Sequence, residues 1–340
     1  MGVHIMFNLR NIYNITCNKL LHRAITTHNN KISVGGNGMR SQSFGVEIEL
    51  TGITRKRASE IIASYFNAQH IYVGGSYKTY TVKDTENRTW KVMSDSSIKP
   101  MVKENNQILF ANEQYRVEIV TPILQYKDIE MLQEIVRAVR EGGGFVTDLC
   151  GIHIHIDSRN HTPQTLKNLI NIIASREDML YDTLKINRQR LRYCKKVNEE
   201  LIVMINKKKP KTIDELADYW YAEYPNADRK QHYNNTRYHG LNLHSVFTNG
   251  TVEFRCFNST LHAGKVKAYI QFCLAVNHQA LIQRSARGRK VVTDNPKYSF
   301  RCWMLRMGLI GDEFKTCRYH FIKNLEGDSA WRNPNRRNSV

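Results

Sequence analysis

Four short stretches alternate strictly between aliphatic and chemically active side chains: Val46-Glu47-Ile48-Glu49-Leu50, Val117-Glu118-Ile119-Val120, Ile152-His153-Ile154-His155-Ile156-Asp157 and Val252-Glu253-Phe254-Arg255-Cys256. In a β-strand successive side chains point to opposite faces, so each stretch predicts a strand with one apolar face and one face of Glu, His, Asp or Arg. Solvated sheet faces in antiparallel proteins also alternate, but they ordinarily collect Lys, Thr, Ser and Gln. Here the polar positions hold carboxylates and imidazoles, which bind divalent metals, and an arginine suited to phosphate. If these strands share one sheet, their polar faces converge on a metal–phosphate site.

The pattern between the strands predicts the remaining elements. After the breaker cluster Gly35-Gly36-Asn37-Gly38, a strand over Phe44–Leu50 opens the folded part, and a helix over Thr54–Phe66 carries Ala58, Ile61, Ile62 and Tyr65 on one side. Tyr77–Val82 and Thr89–Met93 read as a hairpin around the polar turn Asp84–Arg88, followed by a loop up to the Glu118 strand. A helix over Lys127–Glu141 is stopped by Gly142-Gly143-Gly144. Thr162 and Pro163 start a long helix running towards Lys185, with shorter helices at Val197–Asn206 and Thr212–Tyr221. Leu241–Phe257 reads as a hairpin about Asn249-Gly250, a type I′ turn pair. Counting back from that turn pairs Val246 with Glu253 and His244 with Arg255, and puts Asn242, His244, Glu253 and Arg255 on one face. A helix over Gly264–Arg284 and a mixed helical and basic tail complete an α+β chain.

Composition narrows the partners. The 340 residues carry 50 Lys+Arg against 31 Asp+Glu, a net charge of +19, which attracts polyanions. No zinc finger, basic zipper or RNP motif accompanies it, which argues against nucleic acid, and nucleotide phosphates and acidic substrates explain part of the charge equally well. No run is long and apolar enough to span a bilayer. Seven cysteines without a C-x-x-C pair argue against a disulfide scaffold or a structural zinc site and fit a reducing cytoplasm. The first 46 residues lack Asp and Glu altogether. Residues 1–40 are therefore read as a flexible basic leader, with Met39 as an alternative start.

Taken in order, the motifs resemble those of the amidoligase family, carboxylate–amine ligases related to glutamine synthetase and glutamate–cysteine ligase. They are Phe44-Gly-Val-Glu-Ile-Glu49; Trp90 with Asp95-x-Ser97-Ile98; Glu118-Ile-Val-Thr-Pro122; Gly151-Ile-His-Ile-His155; Arg237-Tyr238 with Leu241-Asn242; and Thr251-Val-Glu-Phe-Arg255. The chain departs from that pattern at Ser96, where relatives commonly have glycine. The resemblance implies a curved, mainly antiparallel sheet, a glutamine-synthetase-like half barrel with helices on its convex side, spanning a catalytic domain of residues 41–285. Residues 286–340 are then a helical and basic extension packed on the same domain. It further implies ATP and Mg2+ on the concave face, with Mn2+ admissible because of the histidine. Glu47, Glu49, Glu118, His153 and Glu253 are the implied metal ligands, with Glu253 also in the catalytic set. His155, Asn242 and Asp95 are implied nucleotide or cofactor contacts, and Arg255 and Arg237 the phosphate-clamping catalytic arginines. The substrates would be a carboxylate and an amine, small or part of a peptide or protein.

Two other readings stay open at this level. His153, His155 and Asp157 form a His-x-His-x-Asp strand that a metal-dependent hydrolase would also use. A basic nucleic-acid-binding protein would leave the acidic face merely solvated. Arg190 and Arg192 are read either as substrate contacts or as the end of an amphipathic helix, and His161, His232, His239 and His262 as surface or loop residues.

Overall fold

A computed structural model describes residues 37–332 apart from 227 and 232. The expected leader thus lies almost wholly outside the described residues, as does His232. Eight strands form one open sheet: β1 (Phe44–Leu50), β2 (His70–Gly74), β3 (Thr79–Lys83), β4 (Thr89–Met93), β7 (Val117–Val120), β8 (Gly151–Asp157), β9 (Leu241–Asn242) and β10 (Thr251–Asn258). Their order is β2-β3-β4-β7-β1-β8-β10-β9, and every pairing is antiparallel. β5 (Met101–Glu104) and β6 (Gln107–Phe110) make a separate hairpin. The coarse expectation of an antiparallel sheet backed by helices therefore holds.

Alternation in the four motif strands becomes a division between core and site. Val46, Ile48, Leu50, Val117, Ile119, Ile152, Ile154, Ile156, Val252 and Phe254 all lie in the hydrophobic core. The helices are α1 (Asn37–Arg40), α2 (Arg55–Phe66), α3 (Ile129–Glu141), α4 (Pro163–Ala174), α5 (Glu177–Leu184), α6 (Glu199–Lys208), α7 (Ile213–Trp220), α8 (His244–Asn249), α9 (Ala263–Ile282), α10 (Pro296–Arg306) and α11 (Lys315–Ile322). α2 packs on β3 and β4, where Phe66 meets Trp90 at 5.6 Å between rings. The apolar helix α9 packs on β8 and is itself covered by α3, α4 and α11. Beyond residue 286, Phe300, Trp303 and Phe321 are buried around Phe272 of α9.

Three expectations are corrected. The long hairpin at Leu241–Phe257 is instead a two-residue strand, a short helix and β10. β9 pairs Asn242 with Glu253, not His244 with Arg255. Gly250, at φ 70°, caps α8 by donating its N–H to Ser245 O; Asn-Gly here ends a helix, since only Gly250 of the pair has a positive φ. The type I′ geometry belongs to Asn105 and Asn106, at φ 47° and 63°, which turn the unanticipated β5–β6 hairpin. The helix expected from Thr162 to Lys185 breaks at Ser175-Arg176. There Ser175 O is taken by Val291 N–H and the Arg176 guanidinium lies over Trp303, 4.9 Å from the ring centre; tertiary partners replace the helix's own. His239, finally, is buried, its Nδ1 hydrogen-bonded to Thr236 O and its ring against Trp220.

Candidate active site

The registers bring the polar halves of the motif strands side by side. Glu47 is opposite His153, Glu49 opposite Glu118, and Glu253 opposite both His155 and Asn242. At the centre, His153 Nδ1 is 2.9 Å from Glu47 Oε2, while its Nε2 faces Glu49 Oε1 at 3.7 Å. His155 Nε2 lies 3.3 Å from Glu47 Oε1 and 3.8 Å from Glu253 Oε1. Glu253 is held twice more, by Asn242 Nδ2 at 2.6 Å and by the Arg255 guanidinium. Glu49 accepts the Gly151 N–H at 2.6 Å. Asp95, just beyond β4, takes the Ser97 N–H on one oxygen.

Three sets of ligand atoms result, each with members within 4.8 Å of one another: Glu47, His155 and Glu253; Glu47, Glu118 and His153; Glu49, Asp95 and Glu118. Glu47 belongs to two sets and Glu118 to two, so the sets form a connected row across β10, β8, β1, β7 and the end of β4. All five residues expected as metal ligands are in this row. His155 and Asp95, expected as nucleotide or cofactor contacts, also offer ligand atoms there. For Asp95 the signal was the motif Asp95-x-Ser97-Ile98; the structure adds that Met93, two residues before it, pairs with Glu118. For His155 it was the i, i+2 spacing to His153.

Charge is unevenly balanced along the row. At the β10 end, burial works against ionisation of Glu253, yet Arg255 and the two histidines hold its pKa down at about 2. Burial likewise opposes ionisation of Glu47, but His155 and the hydrogen bonds from both histidines hold it well below the usual range. Burial disfavours charge on His155, but Glu47 and Glu253 outweigh it and raise its pKa. His153 is pushed down to about 4 by burial and by Arg255. At the other end Glu49 is raised to about 7 by burial and then by Asp95, and Glu118 is driven well above the ordinary value by burial and by Glu47, Asp95 and Glu49. Buried carboxylates placed this close either take up protons or share a cation.

The donor set fits divalent cations. Carboxylate oxygens are hard ligands suited to Mg2+, and the imidazoles extend the fit to Mn2+. His155 Nδ1 is 3.1 Å from Thr251 Oγ1, a contact that orients the ring so that its buried Nε2 faces Glu47 and Glu253. Asp157, by contrast, is engaged by Arg159 at 2.6 and 2.8 Å and joins none of the ligand sets found among the described residues. The His-x-His-x-Asp hydrolase alternative thereby lacks its third ligand.

A cleft of about 630 Å³ opens from the row over the β4–β7 end. Its far wall comes from residues 190–238, where Arg237, in the turn Asn235–Arg237, lies over the rings of Tyr233 and Tyr238. The Tyr233 hydroxyl meets that of Tyr77 at 2.8 Å, linking the two rims. Tyr77 and Tyr233 carried no motif signal in the sequence, because only the folded chain puts them beside the carboxylates. Arg190, also in the wall, is buried, whereas Arg192 is exposed.

The arrangement is a row of carboxylates and imidazoles that could hold a metal ion, with guanidinium groups adjoining it. The chain belongs to the family described as "Putative amidoligase enzyme", whose model matches residues 40–277. No curated protein matches it. Among solved structures, a bifunctional glutathione synthetase from Pasteurella multocida shows 11% identity and a TM-score of 0.34 over 85% of this chain. The match spans 48% of that structure, about half its length, and is too distant to carry structural detail. Among the described residues, no helix is long and apolar enough to cross a membrane.

Proposed function

We propose that the protein is an ATP-dependent carboxylate–amine ligase that forms an amide through an acyl phosphate. The observation that carries this reading is the connected row of three ligand sets sharing Glu47 and Glu118, with Arg255 anchored inside it. A carboxylate does not react with amines because oxide would have to leave. Attack of a carboxylate oxygen on the terminal phosphorus of ATP expels ADP and makes phosphate the leaving group instead. The amine then attacks the carbonyl carbon, loses a proton and releases phosphate.

Each residue has a part in this scheme. Glu47, Glu49, Glu118, His153 and Glu253 hold the cations, joined by His155 and Asp95 at the two ends of the row. Bound Mg2+ supplies charge neutralisation of the phosphates and alignment of the in-line displacement. Arg255, kept charged by Glu253, and Arg237, backed by two tyrosine rings, stabilise charge on the transferred phosphoryl group. Asn242 fixes the second oxygen of Glu253 so that its first stays with Arg255. The cleft over Glu49, Asp95 and Glu118 receives the carboxylate and amine.

ADP release from Mg-ATP, with hydroxylamine as a generic amine and panels of carboxylates including peptides, tests the reading. Stimulation by one carboxylate class is expected. Mg-ATP binding that is absent in the wild type would exclude it.

A further inference from the structure

β10 does not pair evenly with β8. Phe254 faces Ile154 and Phe257 faces Ile152, so three steps along β10 match two along β8. The extra residue makes a bulge at Arg255-Cys256, and a bulge takes backbone groups out of the ladder. Buried backbone groups need other partners, and here they have them. On the other side of β10, Arg255 N–H donates to Gly240 O at 2.8 Å, one step beyond the pairing of Phe254 with Leu241 and past the end of β9. The carbonyls of Phe257 and Arg255 accept from Arg190 Nη1 at 2.5 Å and Nη2 at 3.0 Å.

Arg190 reaches them from the turn Arg188–Arg190, which Asn187 N–H fastens to Asn258 Oδ1 at 3.0 Å. Its guanidinium lies flush on Gly151, where an added Cβ would come within 2.3 Å of Nη2. Gly151 in turn donates to Glu49. One buried side chain therefore braces the backbone beneath Arg255 and beneath the donor that orients Glu49.

We propose that Arg190 is a positioning residue: by gripping the carbonyls of Arg255 and Phe257, at and just after the bulge, it sets the angle at which Arg255 enters the site, and Gly151 is glycine to leave room for that grip. A point charge is insufficient for this, because two carbonyls require the planar fork of arginine. The proposal rests on the ligase reading only for its kinetic arm.

The test combines Arg190→Lys, Arg190→Ala and Gly151→Ala, the last in both the wild-type and Arg190→Ala backgrounds. The first readout is the Arg255 side-chain Nε–H resonance, assigned by its loss in Arg255→Lys, in folded protein without substrate. Arg190→Lys and Gly151→Ala should each displace it. The second readout is kcat against KM for Mg-ATP. In Arg190→Lys, kcat should fall about 100-fold, the scale of an ångström-size misplacement, with KM little changed. Gly151→Ala should lower kcat in the wild type and add little to Arg190→Ala. An unmoved Arg255 resonance in folded Arg190→Lys, or in folded Gly151→Ala should the lysine variant not fold, overturns the proposal. If the wild type shows no turnover, the ligase reading fails and the resonance alone still decides the role of Arg190.

Discussion

Glu253 is tied into the site from several sides: Asn242 and Arg255 bind it directly, and both histidines lie within 4 Å. Glu253→Gln keeps its shape and removes its charge. The variant should stay folded and lose ATP-dependent ADP release, as read by hydroxylamine-trapped turnover beside a melting curve. Arg255→Lys should still bind ATP but turn over about 100- to 1,000-fold more slowly, the usual cost of one donor to a developing anion. Away from the site, Asp84 gives a pH test. Burial opposes its ionisation, yet the Arg88 backbone N–H, the Arg88 guanidinium and the Trp90 indole bind the carboxylate and lower its pKa. A lowered folded pKa contributes stability above the unfolded value of about 3.9, and that contribution is lost as pH falls through the folded pKa. Wild type should therefore lose more stability than Asp84→Asn between neutral pH and about pH 3 in urea titrations.

Among the elements, short-range signals served best where local and tertiary preferences agree. β1, β7 and β8 were readable because one of their faces is core and the other is site, so alternation is enforced from both sides. Thr162 caps α4 as its sequence position suggested, and Thr54, expected at the start of α2, caps that helix in the same way. Asn249-Gly250 misled because glycine at positive φ serves a helix end as well as a turn. Nothing lies within 4 Å of a Cβ built on Gly250, so Gly250→Ala should cost only the left-handed backbone penalty of about 1 kcal/mol. Chemical denaturation should show that loss, and a smaller one for Gly250→Asn.

At the scale of the whole molecule, Phe300, Trp303 and Phe321 fix the described part of the chain beyond 286 to the core through ring contacts with Phe272. Phe321 lies 4.3 Å from Phe272 and both are fully buried. Phe321→Ala should cost about 3–5 kcal/mol in equilibrium unfolding although it is remote from the carboxylates. The apolar and polar faces of the site strands, and with them the metal-ligand residue types, were determined by the sequence itself, since a period of two admits one sorting of side chains. The family resemblance rested on the same residues. Only the tertiary structure decided which candidate ligand atoms cluster, because that depends on strand order: Glu49 and Glu118 are 69 positions apart in the chain yet directly opposite in the sheet. It also decided the bulge, and with it the buried place of Arg190. Ladder carbonyls displaced in one strand must find a donor wherever the fold brings one, and no local pattern announces which residue that will be.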